Sequence, residues 1–229
     1  MSQVGKKVAV ELFYDVLSPY TYICFEILTH YNTKWDNMDL KLKPVSLRGI
    51  MGLTGNRPPG LVEAKSKYMT KDLIHVAKYY GIPFRFPMDV PNVMFTKGSL
   101  EAQRLLTVVQ NKHPGHLESL SRALFHRIWV RDEDITTDDS LTAACQAVGL
   151  QDLETKEMLK LIKTNEVKDE LKAHTQAACN AGAFGAPTYV VHLKDGPITL
   201  FGVDRFFLLC HYLNQEWPGN ETVTNNSKM

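Results

Sequence analysis

The 229-residue chain is 44% hydrophobic and carries 26 Lys and Arg against 25 Asp and Glu, a formal charge of +1. A dedicated nucleic-acid-binding domain is usually strongly basic, so this balance argues against nucleic acid as a partner. No apolar run approaches the roughly 20 residues that cross a bilayer. The start of the chain also lacks the apolar stretch of a secretory signal, so we expect no membrane span and no secretion.

Residues 8–14 are β-branched and aromatic and predict a buried strand that ends at Asp15. Ser18 is a good helix N-cap and Pro19 a good first helical residue, so a helix should begin here. Residues 40–45 alternate apolar and polar side chains and predict a second strand. The chain therefore opens as a βαβ unit.

The middle of the chain has a helical pattern. Residues 49–60 are rich in Gly and Pro and predict a loop, and the stretch 61–182 predicts successive helices. Clear helical segments are expected at 99–109, at 117–130, from a capping box at 136–139 to Gly149, and through 166–178. The β pattern returns at 189–193 and 198–201 as a hairpin, and Asp204 is expected to cap a last helix.

The element order predicts an α/β protein with a thioredoxin-like fold and a large inserted α-helical domain. We predict that residues 1–60 and 183–217 form the thioredoxin-like domain. Residues 61–182 would form the inserted domain, and residues 218–229 a loose polar tail.

Cysteines and histidines do not indicate a metal centre or a disulfide framework. His113 and His116 flank a Pro-Gly turn with no cysteine or carboxylate cluster near them, so no metal site is expected. The scattered cysteines form no Cys-x-x-Cys motif and are expected to be reduced thiols in helices: Cys24, Cys145, Cys179 and Cys210.

Three motifs at the starts of elements are candidates for a ligand site. Ser18 and Pro19 put a hydroxyl and free helix N–H groups where an anion would be stabilised, although serine before proline is also a common plain cap. A cis bond at Pro187 would turn the Ala186 backbone toward an extended peptide, with an ordinary edge-strand proline as the alternative. Asp204 either caps its helix or contacts the ligand. Together they suggest one peptide-sized anionic ligand.

Residues 11–20, Glu-Leu-Phe-Tyr-Asp-Val-Leu-Ser-Pro-Tyr, resemble the opening of kappa-class glutathione transferases, which are relatives of the bacterial disulfide oxidoreductase DsbA. Other segments resemble the family in the same order: 49–51, 55–60, 97–100, 133–136, 183–185 and 201–205. The likeness runs to about residue 217. It implies a DsbA-like fold and an enzyme that adds reduced glutathione to electrophiles or lets it reduce hydroperoxides. It implies no cofactor beyond glutathione.

The resemblance also implies site residues. Ser18 would be catalytic, through a hydrogen bond to the glutathione sulfur, and Asn56 would contact the tripeptide. Ala186, beside a cis Pro187, would pair with the cysteinyl backbone, and Asp204 would meet the γ-glutamyl end. The full set of implied glutathione contacts is Ser18, Pro19, Tyr20, Asn56, Ala186, Pro187, Val203 and Asp204.

Two of these positions depart from the family pattern. Val203 stands where relatives often have a hydroxyl residue, so only its backbone N–H can serve a carboxylate. Ala186 replaces a bulkier apolar residue of some relatives, but its implied contacts are made by the main chain.

Two other functions stay open. Bacterial 2-hydroxychromene-2-carboxylate isomerases share this scaffold, use glutathione and present a serine in a similar place. In a non-catalytic thioredoxin-like adaptor, Ser18 would be only a helix cap. A disulfide oxidoreductase is excluded because it needs a thiol at the helix start and another three residues on, where Ser18 and Thr21 stand.

The last three residues, Ser227-Lys228-Met229, resemble the Ser-Lys-Leu address that the peroxisomal import receptor reads. We therefore expect this receptor as a partner and the peroxisome as the location. The resemblance to kappa-class transferases leaves the mitochondrion as the alternative location and implies a homodimer.

Overall fold

A computed structural model describes residues 7–219 and residue 223, so the predicted signal at Ser227–Met229 lies outside the described residues. The strands are β1 (Val8–Tyr14), β2 (Met38–Pro44), β3 (Thr188–Leu193) and β4 (Gly196–Phe201). The helices are α1 (Pro19–Lys34), α2 (Leu47–Thr54), α3 (Glu63–Tyr80), α4 (Leu100–Lys112), α5 (Leu117–Trp129), α6 (Asp138–Ala147), α7 (Asp152–Leu161), α8 (Asn165–Asn180) and α9 (Phe206–Tyr212).

The four strands form one mixed sheet in the order β2-β1-β3-β4. β1 and β2 are parallel, as a crossover through α1 permits, with Val8 opposite Met38. β3 is antiparallel to both β1 and β4, and Tyr189 lies between Leu12 and Leu200. The predicted βαβ unit, the helical segment and the ββα unit are confirmed, and with them the thioredoxin-like fold.

Both faces of the sheet are covered because β1 is apolar on both sides near its end. Leu12 and Tyr14 are fully buried in the main core, which also holds much of α1 and α5. Phe13 belongs to a smaller cluster on the opposite face, together with Ile50 of α2 and Ala178 of α8. The end of β1, where the loop to α1 starts, is thus packed from both sides.

Helices α2 and α6 differ from the sequence prediction. Residues 49–54 are helical, because α2 begins at its N-cap Ser46 and ends at Gly55, whose φ of 71° suits a left-handed C-cap. Ile50 is fully buried against the sheet, and this packing outweighs the low helix propensity of the two glycines in α2. The helix α6 has Thr137 as its N-cap instead of Thr136, since Thr137 accepts the hydrogen bond from Ser140 N.

The stretch 61–182 is helical as predicted, and it packs on the sheet. Leu105 of α4 and Phe125 of α5 share the main core with β1 and α1. Within the described residues, no helix is both long and apolar enough to cross a membrane. The exact domain boundaries stay predictions.

Candidate functional site

Ser18 lies at the junction of β1 and α1 and is almost completely buried. Its side chain caps α1, because Thr21 N donates to Ser18 Oγ at 3.1 Å. Pro19 occupies the first helical turn, where its missing N–H costs nothing. The Ser18 hydroxyl in turn donates to the carbonyl oxygen of Ala186 at 3.2 Å. The start of α1 is thereby linked to the entrance of β3.

The Ala186–Pro187 peptide bond is cis, as predicted. The segment around it is held by two further hydrogen bonds. Thr188 Oγ1 donates to Gly185 O at 2.8 Å, and Gly202 N donates to Pro187 O at 3.0 Å. The second bond brings the end of β4, and the residues that follow it, next to the proline.

Asn56 reaches the same segment from the loop after α2. Its Nδ2 donates to Phe184 O at 2.7 Å, and its Oδ1 accepts from Arg57 N at 2.8 Å. Gly185 lies between these groups, and a Cβ atom there would stand 3.1 Å from the Phe201 ring and 3.7 Å from Asn56 Nδ2. A larger residue at Gly185 would have to displace a neighbour, and the bond to Phe184 O holds Asn56 against the segment that contains Ala186.

Val203 and Asp204 follow Gly202 in a short 3₁₀ turn. The Val203 side chain is buried in the main core, so only its backbone is available to a ligand. Asp204 does not cap α9, which is a correction to the sequence prediction: its carboxylate lies in the turn before the helix and accepts from Arg205 Nη1 at 2.6 Å. The carboxylate is exposed to solvent and makes no capping hydrogen bond to the N–H groups of α9.

Tyr20, one of the implied glutathione contacts, belongs to a hydrogen-bonded group that the sequence analysis missed. The Tyr20 hydroxyl donates to Asp72 Oδ2 at 2.7 Å, and the Tyr68 hydroxyl donates to Asp72 Oδ1 at 3.0 Å. Burial raises the pKa of Tyr20, and the hydrogen bond to Asp72 and the charge of Asp204 raise it further. Tyr68 and Asp72 are spaced i, i+4 on α3, but this spacing alone gave no reason to place them beside Tyr20.

The cysteine nearest to Ser18 in the chain, Cys24, is not a candidate nucleophile. The four cysteines are free and lie in helices, as expected. Cys24 is buried on α1, and burial raises the pKa of its thiol far above the usual range. A thiol kept neutral in this way is a poor nucleophile. Among the described residues, no group of three or more His, Cys, Asp or Glu could hold a metal ion.

The predicted site residues thus surround one end of the sheet. Ser18 bonds Ala186 directly, Asn56 binds Phe184 in the loop that leads to it, and Pro187 bonds the residue before Val203. A hydroxyl at a helix N-terminus, backbone groups beside a cis proline and nearby carboxylates together suit an anionic sulfur carried on a peptide with an ammonium group.

Comparisons with known proteins agree with this arrangement. The family model for the DSBA-like thioredoxin domain matches residues 9–214. The human protein glutathione S-transferase kappa 1 is 47% identical over 220 residues, which cover 96% of this chain and 97% of that protein. The Rattus norvegicus protein of the same name is 40% identical with the same coverage.

A solved structure of 2-hydroxychromene-2-carboxylate isomerase has the same fold, with a TM-score of 0.75 over 90% of this chain and 94% of that one, at 20% identity. Identity this low shows the fold alone, whereas the identity to the human and rat proteins extends over nearly the whole chain. The chain therefore belongs to the kappa class of glutathione transferases, within the family of DSBA-like thioredoxin domains.

Proposed function

We propose that this protein transfers reduced glutathione to electrophilic carbon and that Ser18 is its catalytic residue. The observation that carries the proposal is the position of the Ser18 hydroxyl, at the N-terminus of α1 and 3.2 Å from the carbonyl of the residue before the cis proline. The 47% identity to a protein named as a glutathione transferase supports the substrate.

The Ser18 hydroxyl has one proton, which in this structure goes to Ala186 O. When glutathione binds, we propose that the hydroxyl turns to the sulfur and that the cysteinyl N–H of glutathione takes its place on Ala186 O. The bond from Thr21 N to Ser18 Oγ can persist, since it uses a lone pair of the oxygen and not its proton. The exchange leaves no buried acceptor unpaired.

Magnitudes support a role for this hydroxyl in ionising the thiol. A thiol of pKa about 8.5 is only roughly 3% ionised at pH 7. A hydrogen bond to a charged group contributes about 1.5–3 kcal/mol and a helix N-terminus about 0.3–1 kcal/mol. Since one pKa unit is about 1.4 kcal/mol, a fall of around two units is reachable. Most of the bound thiol would then be thiolate, and positioning of the electrophile supplies the rest of the rate.

The other end of glutathione carries an ammonium group and a carboxylate. We propose that the ammonium faces the carboxylates of Asp72 and Asp204, and that the backbone N–H of Val203 serves the carboxylate. Asn56, fixed on the Phe184 carbonyl, would contact the peptide between the two ends. Pro19 and Tyr20 would line the sulfur side, beside Ser18.

The same thiolate can reduce a hydroperoxide. It attacks the terminal peroxide oxygen, the O–O bond breaks, and the leaving alkoxide takes a proton from solvent to become an alcohol, which leaves a glutathione sulfenic acid. The thiol of a second glutathione then attacks the sulfenic sulfur and displaces its hydroxyl as water, which gives glutathione disulfide. No metal or further cofactor is needed for either reaction.

A direct assay tests the proposal. Purified protein is mixed with glutathione and chlorodinitrobenzene, and conjugation is compared with isomerisation of 2-hydroxychromene-2-carboxylate by the same preparation. Faster conjugation supports the transferase, and isomerisation alone would support the rival isomerase. Calorimetry with glutathione distinguishes both from a non-catalytic adaptor, which should show no saturable heat.

Homodimer formation and peroxisomal import stay proposals that rest on the family resemblance and on residues 227–229. Light scattering on purified protein measures the first. For the second, a tagged copy that lacks Ser227–Met229 should disperse from peroxisomes. Location in mitochondria, or an unchanged location after the deletion, would contradict the role of this signal.

A further inference from the structure

The loop from Asp15 to Ser18 fixes where the Ser18 hydroxyl lies, and a side chain of the helical segment holds its start. Gln103 of α4 is fully buried. Its Nε2 donates to Tyr14 O at 2.8 Å and to Val45 O at 2.7 Å, and its Oε1 accepts from Val16 N at 3.3 Å. Both amide hydrogens and the amide oxygen are therefore hydrogen-bonded to backbone groups of β1, of the loop after it and of the residue after β2.

Trp129, the last residue of α5, holds the same loop from another side. Its indole Nε1 donates to Val16 O at 2.9 Å, so both backbone groups of Val16 are bound by side chains of the helical segment. The indole itself is fixed, because it is almost fully buried and stacks on Phe84 at 5.9 Å between ring centroids. Neither side chain can move without leaving a buried polar group unpaired.

Short links carry this constraint from Val16 to Ser18. The Asp15 carboxylate accepts from Leu17 N at 2.9 Å and from Leu47 N, at the start of α2, at 2.8 Å. Ser18 N donates to Asp15 O at 3.0 Å. Every residue of the loop is thus hydrogen-bonded. From the helical segment, Gln103 and Trp129 bind Val16, two residues before Ser18, and the Ser99 side chain hydrogen-bonds Asp15.

We propose that Gln103 is a positioning residue for the transferase reaction and that Trp129, which binds the same Val16, supports it. The helical segment would thus set the position of the Ser18 hydroxyl. The proposal rests on the function proposed above. Gln103 does not touch the substrate. It keeps the loop in the geometry in which the Ser18 hydroxyl can reach the sulfur, and a displacement of a fraction of an ångström lengthens that hydrogen bond.

The test compares two glutamines on the same helix. Gln110 lies two helical turns after Gln103 and donates from Nε2 to Leu42 O at 3.1 Å, also on the sheet but away from the loop. Gln103→Met and Gln110→Met each replace an amide with an unbranched side chain of similar length. Both should lower the melting temperature. Only Gln103→Met should raise the pKa of bound glutathione, by about half a unit or more, and lower kcat by about tenfold. KM for glutathione should change less than about threefold in either variant.

A second pair of variants decides the matter if Gln103→Met does not fold. Trp129→Phe removes the donor to Val16 and keeps an aromatic ring, and Trp35→Phe makes the same change at a buried tryptophan stacked on Phe206. Trp129→Phe should raise the thiol pKa, and Trp35→Phe should not. An unchanged thiol pKa and kcat in Gln103→Met or, failing that variant, in Trp129→Phe would overturn the proposal.

The outcomes separate this inference from the proposed function. If wild-type protein binds no glutathione, or if Ser18→Ala leaves the thiol pKa unchanged, the proposed role of Ser18 fails and the inference fails with it. If Ser18→Ala raises the pKa while the loop variants match the wild type, only the positioning role of Gln103 is wrong.

Discussion

The hydroxyl of Ser18 and the carbonyl of Ala186 form a hydrogen bond of 3.2 Å between residues 168 positions apart in the chain. The bond joins the first turn of α1 to the residue before the cis Pro187. Because the hydroxyl has only one proton, glutathione must take over this bond to be activated by it. Substrate binding and thiol ionisation would therefore depend on the same small rearrangement.

Replacing Ser18 separates its catalytic role from its role as a helix cap. In Ser18→Ala the donor to sulfur is lost, so we expect the pKa of bound glutathione to rise by one to two units, roughly the effect of a hydrogen bond to a charged group. Turnover at neutral pH should fall by about tenfold or more, while binding persists. Ultraviolet titration of the bound thiolate measures the pKa.

Thr137→Ala is the matched control, since Thr137 caps α6 with its side chain and α6 carries none of the proposed site residues. Both substitutions should cost about 1 kcal/mol of stability through the lost cap. Equal ionisation midpoints in wild type and Ser18→Ala would remove Ser18 from the mechanism.

Asn56 is expected to act on binding more than on turnover. Asn56→Ala loses the bond to Phe184 O, in the loop that contains Ala186, and loses the proposed contact with the peptide. One lost hydrogen bond of about 1 kcal/mol corresponds to a roughly fivefold higher KM for glutathione. Steady-state kinetics with varied glutathione measures this. Asn111→Ala, which breaks an exposed bond to Glu170 on α8, should leave KM unchanged.

Asp72 is expected to matter for the ammonium end of glutathione. Asp72→Asn removes a negative charge and leaves one acceptor oxygen for the two hydroxyls of Tyr20 and Tyr68. We expect the dissociation constant for glutathione, measured by calorimetry, to rise about tenfold, the effect of losing roughly 1.4 kcal/mol. Asp169→Asn removes an exposed carboxylate paired with Lys172 and serves as the control. Equal weakening in both variants would indicate a general effect of net charge.

The lowered pKa of His126 predicts how the free energy of unfolding depends on pH. Its Nε2 lies 3.7 Å from Glu26 Oε1, but that carboxylate is bound by Arg122. Burial lowers the pKa of His126 from 6.5 to about 4, and Arg131 and Arg122 add to the effect. Between these values the unfolded state binds a proton that the folded state does not, so the free energy of unfolding falls as pH falls from about 6.5 to 4.

The loss should be about 1–2 kcal/mol, because the side chain is partly exposed and its interactions are screened. Urea unfolding at several pH values measures it. His126→Gln should flatten the curve in this range, whereas His75→Gln, at an exposed position of α3, should not. A slope that survives in His126→Gln would assign the pH dependence to other groups.

The sequence was sufficient for the strands, most of the helices and the starts of the site elements. β1 is continuously apolar near its end, Ser18 and Pro19 follow it as a cap and a first helical residue, and the hairpin at β3 and β4 has a Gly-containing turn. These signals are local, since each depends on residues a few positions apart. Resemblance to the kappa-class pattern supplied the rest of the predicted site.

Only the tertiary structure decided which distant side chains share the site and which hold it. Asp72 meets Tyr20 because α3 packs beside α1, and Gln103 meets Val16 because α4 packs over the end of β1. Asp204 looked like a cap in sequence, but the turn after Gly202 keeps its carboxylate out of α9. Hydrogen bonds between residues tens of positions apart leave no periodic signal in the chain, because packing of whole elements sets them.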